Sequence, residues 1–268
     1  MAFWGCSFSF NGIPCEDFDL MMYNIDGTSH SSGKFATGVS ISEDVVAHRW
    51  KPFFYGTQFK DKLTFSIVFG ANQERVDKGL YLTRYELDAI ATWLTGYNEY
   101  HWLEIHQEDL EFVRYRCIIT ALEIVEIENM PWALKATVTC DSPYAYMYPQ
   151  TFEYPIDGET EIDFHNESSH NGYYMPKIEF DLNGSQSFSI VNNSDDGYAC
   201  SFSDLPSAIK SVTIDSDHCI ITTNDGSINP YPYFNFNFVR FVRGVNTLTV
   251  TGKGTMRIIC EFPINVGG

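Results

Sequence analysis

Apolar residues along this chain recur mostly at every second position, and once at the three-to-four spacing of a helix. Leu63, Phe65, Ile67 and Phe69 alternate with Thr64, Ser66 and Val68, which predicts a strand with one fully apolar face. Between Thr83 and Gly96, Leu87, Ile90, Ala91 and Leu94 fall at i, i+3, i+4 and i+7, one face of a helix. Thr83 and Glu86 have capping-box spacing, and Gly96 suits a helix end. No other stretch combines a start, a stripe and a stop. A single short helix must bury its stripe on a sheet built from both flanks, so Leu87, Ile90, Ala91 and Leu94 are the candidate core face.

The flanks supply strands. Ser7 to Phe10 alternates and turns at Asn11-Gly12. Phe18, Leu20 and Met22 line one side of a further strand. Asp26 to Gly38 is a Gly/Ser/Thr-rich loop or hairpin tip. Val39 to Trp50 follows as an edge or arm, and 51–56 breaks the pattern. Residues 102–105, 115–119, 122–127 and 132–140 continue the series. Pro143, Pro149 and Pro155 interrupt any continuous strand, so the boundary falls between residues 1–142 and 143–268. In the second part Ile178/Phe180/Leu182, Phe188/Ile190, Val212/Ile214, Leu248/Val250 and Met256/Ile258/Cys260 alternate between turn signals. Many short, evenly spaced strands indicate a β-sandwich.

Composition agrees. The chain has 21 Phe and 16 Tyr, residues that suit pleated surfaces. With 35 acidic and 17 basic side chains the net charge is -18. The excess is spread, with 19 acidic against 11 basic in residues 1–140 and 16 against 6 beyond. A surface that grips nucleic acid needs the opposite sign. Seven cysteines, odd in number and without Cys-x-x-Cys, indicate neither a disulfide framework nor a zinc site. No secretory signal or membrane-length segment is visible, which points to synthesis in a reducing cytoplasm.

An ordered set of short segments resembles a known family. Phe8-Ser9-Phe10-Asn11-Gly12 with Asp17-Phe18-Asp19-Leu20 resembles the opening of the distal tail proteins of long, non-contractile-tailed bacteriophages. Arg49 to Gly56 before the strand at Leu63, Arg84-Tyr85-Glu86 opening a helix that ends at Trp93-Leu94, and Cys140 to Ala145 fit the same order. Leu182-Asn183-Gly184, Ile190 to Asn193 and Phe241 to Leu248 fit its second half. The resemblance implies a mainly β chain. A tail-tube-like β-sandwich or barrel with one packed α-helix is followed by a galectin-like, carbohydrate-module-like β-sandwich. It also implies a structural subunit of the virion's tail tip, forming a homo-oligomeric ring, six-membered in the family. DNA passes through without specific binding. The partners the resemblance implies are the tail-tube protein, a tail-associated hub protein and a receptor-binding protein, with the outward domain holding other tip or receptor-binding proteins. The chain lacks the long insertion that would graft a sugar-binding arm onto the second domain.

If residues 1–142 line such a conduit, its wall should be neutral or negative, because close Lys or Arg contacts would hold DNA back. Within Asp26–Trp50, Glu43 and Asp44 are the candidate channel-lining residues, against a plain role as solvated hairpin positions.

Candidate chemistry is sparse. Glu108/Asp109, Glu159/Glu161 and Asp195/Asp196 lie in turn-like polar stretches rather than as a carboxyl pair across a cleft. His101/His106 and His165/His170 with Glu167 form the nearest approach to metal-ligand spacing, read here as polar loop residues. No nucleophile elbow, phosphate loop or dinucleotide fingerprint occurs. The expectation is a non-enzyme without cofactor, metal or membrane insertion. The main rival is a lectin-like module using Tyr144, Tyr146, Tyr148, Tyr173, Tyr174, Tyr231 and Tyr233. A β-rich glycoside hydrolase is more distant.

Overall fold

The computed structural model describes residues 7–23, 38–59, 61–108 and 111–265. It divides into two units, Met1–Tyr146 with Asn265–Gly268, and Met147–Ile264. Both are mainly β.

The first unit contains β1 (Ser7–Phe10), β2 (Ile13–Pro14), β3 (Leu20–Met22), β4 (Val39–Asp44), β5 (Phe53–Phe59) and β6 (Thr64–Ala71). Then come α1 (Gln73–Asp77), α2 (Arg84–Thr95), β7 (His101–His106), β8 (Val113–Ile127) and β9 (Met130–Cys140). Hydrogen bonds join the main sheet in the order β2-β1-β7-β8-β9-β6-β3, while among the described residues β4 and β5 pair with each other alone. The alternation at 63–69 is realised in β6, where Phe65, Ile67 and Phe69 are buried and Thr64 and Ser66 exposed.

Helix α2 carries the capping box in full. The Thr83 hydroxyl accepts from the Glu86 amide, and the Glu86 carboxylate accepts from the Thr83 amide at 2.6 Å. Two orphan helical donors are thereby satisfied. Ile90 and Leu94 are buried, and Leu87 and Ala91 half-buried. Trp93 joins the core between Phe18 at 4.6 Å and Phe8 at 5.7 Å. Its indole N–H donates to the Phe10 carbonyl at 3.2 Å, as a buried indole requires.

Local structure departs from simple alternation at several places. Phe18 is in a 3-10 turn (Cys15–Phe18) that ends at Asp19 with φ 55°, and this turn delivers it to Trp93 instead of to a strand. Residues 51–56 do not end the regular structure, since Phe53 to Gly56 belong to β5. The segments 115–119 and 122–127 form one strand, β8, whose pairing with β9 shifts between Ile119 and Ala121. A second helix, α1, carries no apolar stripe. Its Asn72 side chain caps the Arg75 amide at 3.0 Å, and Arg75 pairs with Glu86 of α2 at 2.6 Å.

Arg75 and the Thr83 donors together hold the Glu86 carboxyl down at about 2, against 4.5 unperturbed. A depressed carboxyl stabilises the fold above the unfolded value, and that contribution disappears as pH falls through the folded one. Glu86→Gln is therefore expected to cost about 1 kcal/mol near pH 6, the usual size of a helix-cap loss. The difference from wild type should narrow below pH 4.5 and close near pH 2. Denaturant midpoints of both proteins across pH 2–7 measure this, and a gap independent of pH contradicts it.

β10 (Ala145–Met147) leads into the second unit. This unit has β11 (Gln150–Asn166), β12 (Lys177–Leu182), β13 (Phe188–Asn192), β14 (Tyr198–Phe202) and β15 (Ser211–Asp215). β16 (Ile220–Thr223), β17 (Gly244–Cys260) and β18 (Pro263–Ile264) complete it. The sheet runs β14-β13-β17-β12-β15-β16, with β11 lying along β17. Pro155 does not interrupt β11, because β11 pairs on one side only, with β17. A missing N–H is harmless on such an edge. The core is aromatic: Phe180, Phe188, Phe202 and Phe234 stack in series at 4.3, 4.9 and 4.8 Å.

The two alternating stretches 248–250 and 256–260 form one 17-residue strand. Its first part pairs with β13 and its last part with β12. The change of neighbour falls at Gly252 and Gly254, with φ 143° and 154°. Opposite Gly252 stands Gly158, at φ 89°, so both strands of this ladder carry a positive-φ glycine at one register position.

Candidate functional site

The sequence-predicted site residues fall on two surfaces of the first unit. One is the β4–β5 arm. Side chains alternate across a strand, so Val39, Ile41 and Glu43 share one face and Ser40, Ser42 and Asp44 the other. Directly opposed residues share a face. Val39 faces Phe59 and Glu43 faces Phe54; Ser40 faces Gln58 and Asp44 faces Phe53. The arm thus has a largely apolar face and a largely polar one. Glu43 and Asp44, neighbours in sequence, point to opposite sides. Pairing shifts between Ser42 and Glu43, leaving Tyr55 as the extra residue, and its hydroxyl donates to Asp44 at 3.2 Å. Asp26 to Thr37, the remainder of the loop read from sequence, lies outside the described residues.

Among the described residues nothing covers the arm. Val39, Ile41, Phe54 and Tyr55 are all more than half exposed, and Trp50 at the tip is 93% exposed. A two-stranded ribbon is marginal in water by itself. Phe59 ties its base to Tyr144, ring against ring at 5.0 Å.

The second surface is a groove of about 220 Å³ between α2 and the β8–β9 hairpin. Leu87 and Ala91, half of the predicted helix face, line it with Leu122, Ile124 and Leu134; Arg84 and Asp88 add charge. The hairpin turns at Glu128 and Asn129, both at positive φ, the conformation of a two-residue type I′ turn. Beyond the groove Ile127 and Met130 are exposed.

Several of the tyrosines proposed for sugar stacking are engaged within their own unit. The Tyr174 hydroxyl accepts from the Glu261 amide at 2.9 Å, and that of Tyr231 from the Ile221 amide at 3.2 Å. Tyr146 packs edge-on to Trp102 and donates to Asp141. Tyr173 and Tyr198 sandwich the Arg240 guanidinium at 4.1 and 3.8 Å, and Asp195 pairs with it at 2.6 Å. This neutralised cluster pins the residues before β17. Sequence reading missed its partners, as it missed buried Asn166, Asn192 and Asn246, whose amides satisfy carbonyls of Arg240, Val242 and Gly244.

Glu159 and Glu161 lie exposed on β11; Asp109 lies outside the described residues. Among the described residues no three His, Cys, Asp or Glu side chains converge on a metal position. His101 and Glu99 approach to 3.9 Å, as do His165 and Glu167. The described cysteines are free thiols, and burial pushes Cys15, Cys140, Cys200 and Cys260 up to about 12. Such thiols are inert as nucleophiles. No described helix is long and apolar enough to cross a membrane.

Comparison with known proteins is decisive at family level. The phage tail protein N-terminal domain matches residues 4–142, and the phage tail C-terminal domain matches residues 144–260. The chain belongs to the phage tail protein family. It is a component of the virion's tail. Among solved structures, the chain is similar to the Dit protein of phage SPP1, described as a paradigm of the hub adsorption apparatus in phages infecting Gram-positive hosts. Identity is 10%, coverage 96% of this chain and 98% of that one, and the TM-score 0.67. The phage P2 baseplate in its activated conformation with Ca aligns at 11% identity, with 91% and 92% coverage and a TM-score of 0.47. No curated protein matches in sequence. The resemblance to distal tail proteins thus holds for the fold over nearly the whole chain.

Proposed function

We propose that this phage tail protein is a structural, non-catalytic subunit of the tail tip. Residues 1–142 form a closed ring, six-membered as in the distal tail proteins it resembles, that continues the tube for DNA. Residues 143–268, a galectin-like sandwich, face outward and hold hub or receptor-binding proteins. The observation that carries this reading is the two-faced, uncovered β4–β5 arm. Its apolar face needs a protein neighbour, while its polar face is of the kind that borders water.

The DNA reading adds a wall condition. Duplex DNA carries one charge per about 1.7 Å, and a basic lining would retain it. Glu43 and Asp44 are proposed as lumen residues. The pleat favours Asp44, which shares its face with Ser40, Ser42 and Gln58. Changing both to Lys should leave folding within about 0.5 kcal/mol, since both are exposed. The assembled ring should then retain DNA at low salt and release it at moderate salt. Asp44→Lys alone should reproduce most of this, and Glu43→Lys little. Unchanged DNA affinity in the double variant removes both residues from the lumen. Tight binding by the unmodified ring overturns the repulsive conduit itself. Mass measurement of the purified protein tests the ring, which a strictly monomeric, folded protein would contradict.

A further inference from the structure

The first unit holds two exposed apolar features, the arm tip and the α2/β8–β9 groove. The tip of the arm is Arg49-Trp50-Lys51, an indole 93% exposed between two cations. Arg49 is held in place over the Phe53 ring at 3.7 Å. The other feature is the groove between α2 and the β8–β9 hairpin. Its volume, about 220 Å³, suits one large ring, given that a cavity of about 150 Å³ accepts benzene. Ile124 at its mouth is 48% exposed.

Charge matches as well. The groove is lined by Asp88 and Arg84. Glu126 and Glu128 follow Ile124 toward the hairpin end, both exposed. Three carboxylates against one guanidinium leave this surface acidic, a match for the two cations that flank Trp50. In a chain with 35 acidic and 17 basic side chains, two adjacent cations flanking an exposed Trp stand apart from the general surface. Trp and Arg are the residue types most enriched as interface anchors.

We propose that the Arg49–Lys51 tip of one copy docks into the α2/β8–β9 groove of the next, with Trp50 as anchor. Tip and groove are different surfaces, so the contact is heterologous. Repeated by rotation it closes a ring. The inference rests on the ring reading and names the surfaces that would build it. Arg49 and Lys51 would approach the Asp88 and Glu126 side of the groove. This contact therefore weakens with salt, whereas the Trp50 contact does not.

The test uses the full chain and two variants at exposed positions, Trp50→Ala and Ile124→Asp. Far-UV circular dichroism confirms folding, and native mass spectrometry reads assembly. Wild type should form the ring, and each variant alone should fall to monomer. Mixed in equal amounts, the two should give a heterodimer and nothing larger. The intact tip of the Ile124→Asp copy seats in the intact groove of the Trp50→Ala copy, and the remaining halves are both spoiled. A monomeric wild type would sink the ring reading. A wild-type ring with both variants still fully assembled would leave that reading standing and overturn the docking assignment. Variants that are monomeric apart and fail to pair when mixed would also overturn it.

Discussion

Leu94→Ala is expected to destabilise the first unit by about 2–5 kcal/mol, the range for truncating a buried leucine. Leu94 is 2% exposed and belongs to the α2 face that also buries Ile90 and Trp93. Removing its outer carbons forfeits apolar burial and leaves a space that neighbouring rings fill only in part. Trp93, the preceding residue on the helix, is held by stacking on Phe8 and Phe18 and by its indole hydrogen bond to Phe10, which limits collapse. The measurement is selective. All five Trp residues, at 4, 50, 93, 102 and 132, lie in the first unit. Tryptophan fluorescence in a denaturant titration of the full chain therefore follows that unit alone. Its midpoint should shift, and the proposed ring should weaken with it. A loss under about 0.5 kcal/mol, the size of a surface effect, would mean that α2 is not part of the core.

Gly254→Ala should be at least as damaging, by about 3 kcal/mol or more, and in the other unit. Two mechanisms add. The backbone sits at φ 154°, where side chains are strained, and a Cβ there would lie 1.9 Å from the Asp181 carbonyl oxygen. No rotamer relieves a clash with backbone, so β12 and β17 would have to separate where their pairing begins. Strained backbone costs about 1–3 kcal/mol by itself. Loss of the Leu182–Gly254 and Asp181–Thr255 register adds to it. The second unit has no Trp, so calorimetry should show its transition move while the fluorescence transition stays. A melting profile unchanged from wild type would contradict the close approach.

The arm and groove connect stability to assembly. Exposed apolar surface of this extent weakens solubility in a free subunit, while the net charge of -18 opposes aggregation. In the proposed ring the same acidic surplus would favour passage of DNA.

How much of this could be read along the chain follows from the range of each determinant. Thr83, Glu86 and the stripe from Leu87 to Leu94 lie within a few turns of one another, so the sequence predicts α2 and its cap directly. The alternations at 63–69, 178–182 and 212–214 likewise specify strands, because a period of two needs no distant partner to be recognised. The spread acidic excess alone argued against a DNA-gripping surface. Elements fixed by distant neighbours were not legible. Pro155 sits inside β11 because only one side of that strand is paired. Two stretches separated by Gly252 and Gly254 are one strand because β11 runs beside both. Phe18 leaves a strand-like pattern because a 3-10 turn carries it to Trp93, 75 positions away in the chain. Site geometry was the least local. Tyr174 and Tyr231 are taken up by backbone donors and Tyr173 by Arg240, and the predicted helix face divides between core and groove. Glu43 and Asp44 are adjacent in sequence yet face opposite sides of a ribbon. Sequence determined the period of each element; packing alone decided what each face meets, because a side chain's neighbours in space come from strands far apart in the chain.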